Sequence, residues 1–193
     1  CLSLKQINIP PQIEIIYKKT FENCKSLVKI SLPSSIKSIN LLAFCQCSSL
    51  AEITLPHSLA SIGEKAFSHC TSIKKITIPA SVNSISSYAF YNCSSLESIT
   101  FETPSELRSI YESAFANCVS LNNVFIPSSV YIVGKNAFDG CISLKNYKFS
   151  SKTFFLNAGI DDKKSKCTVS WYLFIGHKYL LTFSIKVLKI VES

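Results

Sequence analysis

Residues Pro79 to Phe101 read PASVNSISSYAFYNCSSLESITF, and the rest of the chain repeats this string. Six complete copies of twenty-three residues begin at Pro10, Pro33, Pro56, Pro79, Pro104 and Pro127, and the last ends at Phe149. Only Glu102 and Thr103 interrupt the period. Cys24, Cys47, Cys70, Cys93, Cys118 and Cys141 mark its phase, and Cys1 stands twenty-three residues before Cys24. The chain therefore opens inside a further repeat, and Cys1 to Ile9 form its last part. No methionine occurs among the 193 residues, so the chain reads as a segment of a longer protein, from which a signal peptide or anchor would be missing.

Within each copy, the closing pattern L-x-x-I-x-I, as in Leu50 to Leu55 and Leu96 to Phe101, alternates with period two, as a half-buried strand requires. Pro33, Pro56, Pro79 and Pro127 follow these strands; lacking an amide hydrogen, proline ends the ladder and turns the chain. An apolar pair three residues apart comes next (Ile36 and Ile39, Leu59 and Ile62, Val82 and Ile85, Leu107 and Ile110) and predicts a second short strand. Then come the Ala-Phe pairs at 43–44, 66–67, 89–90, 114–115 and 137–138, with Thr20-Phe21 in the first copy. Each Phe precedes its Cys by three residues, a spacing that a single 3₁₀ or α turn would use to aim both side chains inward. Ser26, Ser49, Ser72, Ser95, Ser120 and Ser143 recur without exception and are expected to hydrogen-bond the turn that leads into the strand.

One such unit cannot bury its own apolar face, whereas stacked units share a continuous core. The sequence predicts a mainly β repeat solenoid: a right-handed stack with a parallel sheet, short second strands and 3₁₀ or α turns, roughly 30 Å long at strand spacing. Residues 1–149 form it, as one partial and six full repeats, and 150–193 are an atypical C-terminal segment. The L-x-x-I-x-I-P strands, the Ala-Phe pairs and the repeat cysteines resemble leucine-rich repeats of the treponemal, BspA-like type, from Cys1 to Phe149. That resemblance implies a curved or gently twisted ladder with a parallel sheet on one face. It also implies a place among proteins, often at cell surfaces, that bind host matrix or other cells.

Nine cysteines would ordinarily suggest disulfides or zinc. Seven of them, however, share one repeat position. A column with parallel side-chain directions cannot supply the disulfide dihedral near 90° or converge tetrahedrally on a metal. Buried free thiols are expected, and they suit either redox compartment. Cys45, His69 and Cys70 are the one metal-ligand combination worth weighing. It is set aside because Cys70 belongs to the column while Cys45 and His69 are expected on the outer side of the turn. His57, His69 and His177 occupy unrelated template positions, and the five glycines are dispersed and form no phosphate loop. The recurring serines are read as structural, so no enzyme, metal or cofactor is expected.

The net charge is +8. Residues 1–149 carry thirteen Lys/Arg against nine Asp/Glu, and residues 150–193 carry seven against three. The repeat lysines are scattered among glutamates, which argues against a nucleic-acid stripe. In the last segment Cys167 falls out of phase, Asp161 to Lys166 read as a linker, and Val169 to Val191 are strongly apolar. Three readings of that apolar stretch stand open: a cap over the last coil, a tail that does not fold natively, and a membrane-spanning helix. The last is disfavoured by His177 and Lys178 near its middle, since a central Lys costs about 2.5–3.5 kcal/mol.

Outward strand positions vary while core positions stay fixed, as expected of a recognition face. The candidate surface comprises Lys29, Glu52, Thr54, Lys75, Thr77, Ser98, Thr100, Asn123, Phe125 and Lys148. The Thr run also suits any wet strand. Phe125 is an outward aromatic, a candidate anchor that could equally be a lone exposed apolar residue. Asn92-Cys93-Ser94 fits the N-glycosylation pattern. The function expected is a non-catalytic protein-recognition module, a monomer at the cell surface or secreted. It would bind extracellular host or matrix proteins or other cells, as a surface adhesin or antigen does. The alternative is an intracellular protein-interaction scaffold of the same fold.

Overall fold

The computed structural model of the chain describes residues 1–150 and 153–156. The spanning-helix, cap and unfolded-tail readings of Val169 to Val191 lie outside the described residues. Among the described residues there is no helix; the regular elements are fourteen short strands, two per coil. In chain order they are β1 (Gln6–Asn8), β2 (Ile15–Ile16), β3 (Lys29–Ser31), β4 (Ser38–Ile39), β5 (Glu52–Thr54), β6 (Ser61–Ile62) and β7 (Lys75–Ile78). The series continues with β8 (Ser84–Ile85), β9 (Ser98–Phe101), β10 (Ser109–Ile110), β11 (Asn123–Phe125), β12 (Ile132–Val133), β13 (Asn146–Lys148) and β14 (Phe154–Phe155). Every pairing is parallel and joins equivalent repeat positions, such as Lys29 with Glu52 and Ile85 with Ile110. The expected repeat solenoid is the observed fold.

The even-numbered strands form one unbroken seven-stranded ladder, β2 through β14. Its last strand lies past Phe149, where Thr153 Oγ1 donates to Val130 O at 3.0 Å. The odd-numbered strands make the principal face, and this face is divided. β1, β3 and β5 pair, as do β7, β9, β11 and β13, but β5 and β7 do not. Ile53 is half-buried at that seam, whereas Ile30, Ile76, Ile99 and Val124, its equivalents in other coils, are buried.

The core is built of columns, because identical positions stack in identical coils. Phe21, Phe44, Phe67, Phe90, Phe115 and Phe138 lie ring over ring, with centroids 5.1–5.5 Å apart and interplanar angles of 2–14°. Beside them the cysteine thiols bond backbone in the equivalent turn of the preceding coil. Cys47, Cys70, Cys93, Cys118 and Cys141 donate to the carbonyls of Phe21, Phe44, Phe67, Phe90 and Phe115 at 3.1–3.2 Å. Each thiol thus satisfies its weak donor inside an apolar environment. These cysteines are unbridged, as are Cys1, Cys24 and Cys45.

The turns differ from the expectation of a simple 3₁₀ or α turn. Bonds of the i→i+3 kind are present, for example from Cys70 N–H to Phe67 O at 3.1 Å. Each turn also holds two residues with positive φ, among them Lys65 (54°) and His69 (61°). This left-handed backbone aims amides at the next coil. Phe67 N–H donates to Ala89 O at 2.7 Å and His69 N–H to Tyr91 O at 2.8 Å, and the same pattern recurs from coil to coil. The turns therefore form a third hydrogen-bonded ladder without being strands.

Two serine series bind across coils. Ser26 Oγ donates to Leu2 O at 2.5 Å and Ser72 Oγ to Ser48 O at 2.6 Å, so these side chains tie successive coils together and do not close their own turn as expected. A second series, Ser35, Ser58 and Ser81, donates to Ile13, Ile36 and Leu59 carbonyls at 2.5–2.7 Å. Its next member, Ser129, has a buried hydroxyl with no partner. It follows the coil whose entry was changed by the insertion of Glu102 and Thr103, where Glu106 replaces serine in the series. The inserted Glu102 carboxylate reaches back to His57 Nδ1 at 3.0 Å and to Ala80 N–H at 3.2 Å.

Candidate functional site: the principal sheet face

All ten predicted surface residues lie on the principal strands with their side chains outward. Lys29 is on β3, Glu52 and Thr54 on β5, Lys75 and Thr77 on β7, Ser98 and Thr100 on β9, Asn123 and Phe125 on β11, and Lys148 on β13. Ser98 and Asn123 are half-buried and the rest are exposed. The alternation follows from strand geometry: once the apolar residues between them enter the core, these side chains must face water.

The register brings them together in two rows. Lys29 sits beside Glu52, with Nζ 2.7 Å from Oε2, while Lys75 sits beside Ser98 and Ser98 beside Asn123. Both partners of the Lys29–Glu52 pair are well exposed, so the pair stabilises by no more than about 1 kcal/mol. In the second row Thr77 adjoins Thr100, and Phe125 adjoins Lys148. The seam keeps Glu52 and Thr54 out of hydrogen-bonded register with Lys75 and Thr77. Phe125 is 59% exposed, which places it outside the core.

Sequence reasoning missed the amide network beside Phe125. Asn146 Nδ2 donates to Asn123 Oδ1 at 2.7 Å, and Asn123 Nδ2 in turn donates to Asn122 Oδ1. Asn123 and Asn146 at equivalent positions, with Asn122 adjoining, were a visible signal. It also missed a second apolar cluster, on the seven-stranded ladder. Ile132 is exposed where Ser38, Ser61, Ser84 and Ser109 stand in register, and Tyr111 and Tyr131 are exposed nearby. The Arg108 guanidinium lies over the Tyr131 ring at 5.4 Å.

On the turn face, Asn92 has φ 56° and its Nδ2 lies 2.9 Å from His69 Nδ1. An amide nitrogen can only donate, so His69 Nδ1 accepts. The predicted glycosylation nitrogen is thus already in a hydrogen bond, and the adjoining Cys93 is fully buried. Cys45, expected on the outer side, is 6% exposed. At the same repeat position the small Ser68 and Ala116 are buried as well, while the larger Tyr91 is half-buried. Burial pushes the Cys45 thiol upward, with Glu22 adding to the shift. Burial likewise pushes Cys47 and Cys141 up to about 12, and Cys70, Cys93 and Cys118 well above the ordinary thiol range. Cys70 bonds Phe44 O and His69 bonds Asn92, so Cys45, His69 and Cys70 do not converge. Among the described residues no group of three His, Cys, Asp or Glu side chains could hold a metal, and no helix is long and apolar enough to cross a membrane.

Parallel coils of about twenty-three residues, a leucine and isoleucine strand in each, and an exposed parallel sheet define a leucine-rich repeat solenoid. The family described as BspA type leucine rich repeat region (6 copies) matches residues 1–103 and 61–158, and the chain belongs to that family. Among solved structures it is similar to a leucine-rich repeat protein from Bacteroides ovatus ATCC 8483, with 35% identity and a TM-score of 0.74 over 79% of this chain and 39% of that one. It is also similar to the Treponema pallidum leucine rich repeat protein, with 28% identity and a TM-score of 0.56 over 72% of this chain and 78% of that one. A third similar structure is a leucine rich cell surface protein from Faecalibacterium prausnitzii A2-165, with 25% identity and a TM-score of 0.56 over 78% of this chain and 48% of that one. The chain therefore spans less than half the length of the Bacteroides and Faecalibacterium proteins. No curated protein is significantly similar to it.

Proposed function

We propose that the chain is a non-catalytic recognition module that acts at a cell surface or outside the cell. Its principal sheet face would hold protein partners belonging to a host, a matrix or another cell. The observation that carries this reading is the exposed Phe125 ring, set among hydroxyl, amide and lysine side chains on a rigid parallel sheet. An aromatic fixed on a regular element can anchor a partner with little entropic cost. The similarity to a leucine rich cell surface protein supports the location.

The test is binding of the purified chain to epithelial cells and to a panel of immobilised serum and matrix proteins. Phe125→Ala is expected to weaken binding about thirtyfold, the effect of an interface hot spot. Tyr131→Ala, on the other ladder, is expected to leave it within about twofold. Loss of binding in Tyr131→Ala with full binding in Phe125→Ala would move the site to the seven-stranded ladder. Failure to bind any extracellular protein or cell would return the chain to the intracellular scaffold.

A further inference from the structure

Charge is unevenly distributed over the principal face. On the three-stranded part, Lys29 is neutralised by Glu52 at 2.7 Å. Across the seam, Lys75 on β7 and Lys148 on β13 are both exposed, and neither is paired with a carboxylate among the described residues. Lys74 and Lys145 stand exposed at the entries to the same two strands, with Glu97 as the one carboxylate at an entry between them. Between the lysines the outward side chains on the strands are neutral, the Glu102 carboxylate past the end of β9 is held by His57 Nδ1 and the Ala80 amide, and Phe125 adjoins Lys148 in register.

We infer that the four-stranded half of the face takes an acidic protein segment, whose carboxylates meet Lys75 and Lys148 while an apolar side chain covers Phe125. The inference rests on the sheet face being the binding surface, and it names the partner's chemistry. Charge complementarity points to an anionic partner, and lysine spacing selects the kind. Lys75 and Lys148 stand three strands apart, about 14 Å across the sheet. A nucleic acid duplex presents one charge about every 1.7 Å, so a sparse pair of cations separated by neutral groups and an aromatic does not match it. A densely sulfated glycan fails on the same ground. A protein segment with separated carboxylates and an apolar residue between them fits. The Lys29–Glu52 pair fixes the limit of this patch, because beyond the seam the outward strand charges are already balanced and Lys5, at the entry to β1, is the excess there.

The probe is a fluorescent peptide of alternating Glu and Ser with a central Trp, set against its Lys-for-Glu counterpart and a heparin oligosaccharide. The full chain is expected to prefer the Glu peptide at least tenfold, with affinity falling as salt approaches 1 M, where the Debye length is about 3 Å. Lys75→Glu with Lys148→Glu should weaken it about tenfold, the scale of two reversed rim charges. Lys18→Glu with Lys135→Glu makes the same change in net charge at exposed positions off this sheet, and should leave affinity within about twofold. Equal loss in both double variants would reduce the effect to net charge and overturn the inference. So would equal binding of the two peptides, or heparin binding that alone depends on Lys75 and Lys148. If Phe125→Ala weakens cell or protein binding while the lysine reversals do not, the acidic partner is lost and the sheet-face reading stands.

Discussion

At the scale of single residues, stability rests on positions that have no slack. Gly134 follows β12, and a Cβ there would lie 2.6 Å from Glu112 N and 2.7 Å from Tyr111 C, both backbone atoms. Gly134→Ala is expected to cost about 1–3 kcal/mol, measured as a lower denaturation midpoint. Gly63 holds the equivalent position, where a Cβ would lie 2.7 Å from the Asn40 backbone, but Asn40, Ser86 and Tyr111 carry side chains there, so the repeat marked the glycine in two coils only. Phe67, stacked on both sides, should lose about 3–5 kcal/mol on truncation to alanine, whereas exposed Phe125 should change stability by no more than about 0.5 kcal/mol. The thiols add a pH dependence. The folded values of Cys45, Cys47, Cys70, Cys93, Cys118 and Cys141 lie above the ordinary 9.0, at about 12 for Cys47 and Cys141, so the unfolded chain gives up these protons first as pH rises. Stability contributed by the neutral Cys47 and Cys141 thiols is complete below about pH 9 and is lost between about 9 and 12, and the contribution of Cys70, Cys93 and Cys118 falls from the same lower bound. Thermal melts should show that decline, and it should be shallower in Cys70→Ala and Cys93→Ala. A decline unchanged in both variants would assign it to other groups.

Among the elements, both strands of each coil were legible because period-two alternation and the proline stops are written in side chains. The Phe and Cys columns were legible for the same reason. The third ladder was not, since it is made of backbone amides turned outward by left-handed residues. The residues holding those conformations include Lys65, Leu42 and Tyr88, whose chemistry gives no hint of positive φ. The cross-coil serine bonds were misread because a serine before a strand more often bonds locally. Ser58→Ala and Ser81→Ala each remove a part-buried bond to the preceding coil and should cost about 1 kcal/mol. The divided face makes a sharper prediction. Lys75–Ile78 has no strand partner on its β5 side, while Ser98–Phe101 pairs with β7 throughout. Amide exchange at Lys75 and Thr77 should therefore be faster than at Ser98 and Thr100, and equal protection would mean that the seam closes in solution.

For the molecule as a whole, repetition made the architecture readable before any coordinate was known, because one solution for one coil must serve all of them. Function follows the opposite rule. The face that could recognise a partner is where the copies differ, and difference alone does not name a ligand. Phe125 was found as the outward residue that breaks the Thr run, but the grouping of Lys75 and Lys148 on one side of a seam needed the pairing of strands. The seam also has a mechanical meaning. The seven-stranded ladder, the turn ladder and the phenylalanine stack run past it, so three lines of attachment continue where the principal face is interrupted. A pull along the solenoid axis would load those lines on one side only. The molecule would bend open at Ile53 like a spine hinged at its back, spreading the sheet between Glu52 and Lys75 before either end peeled away.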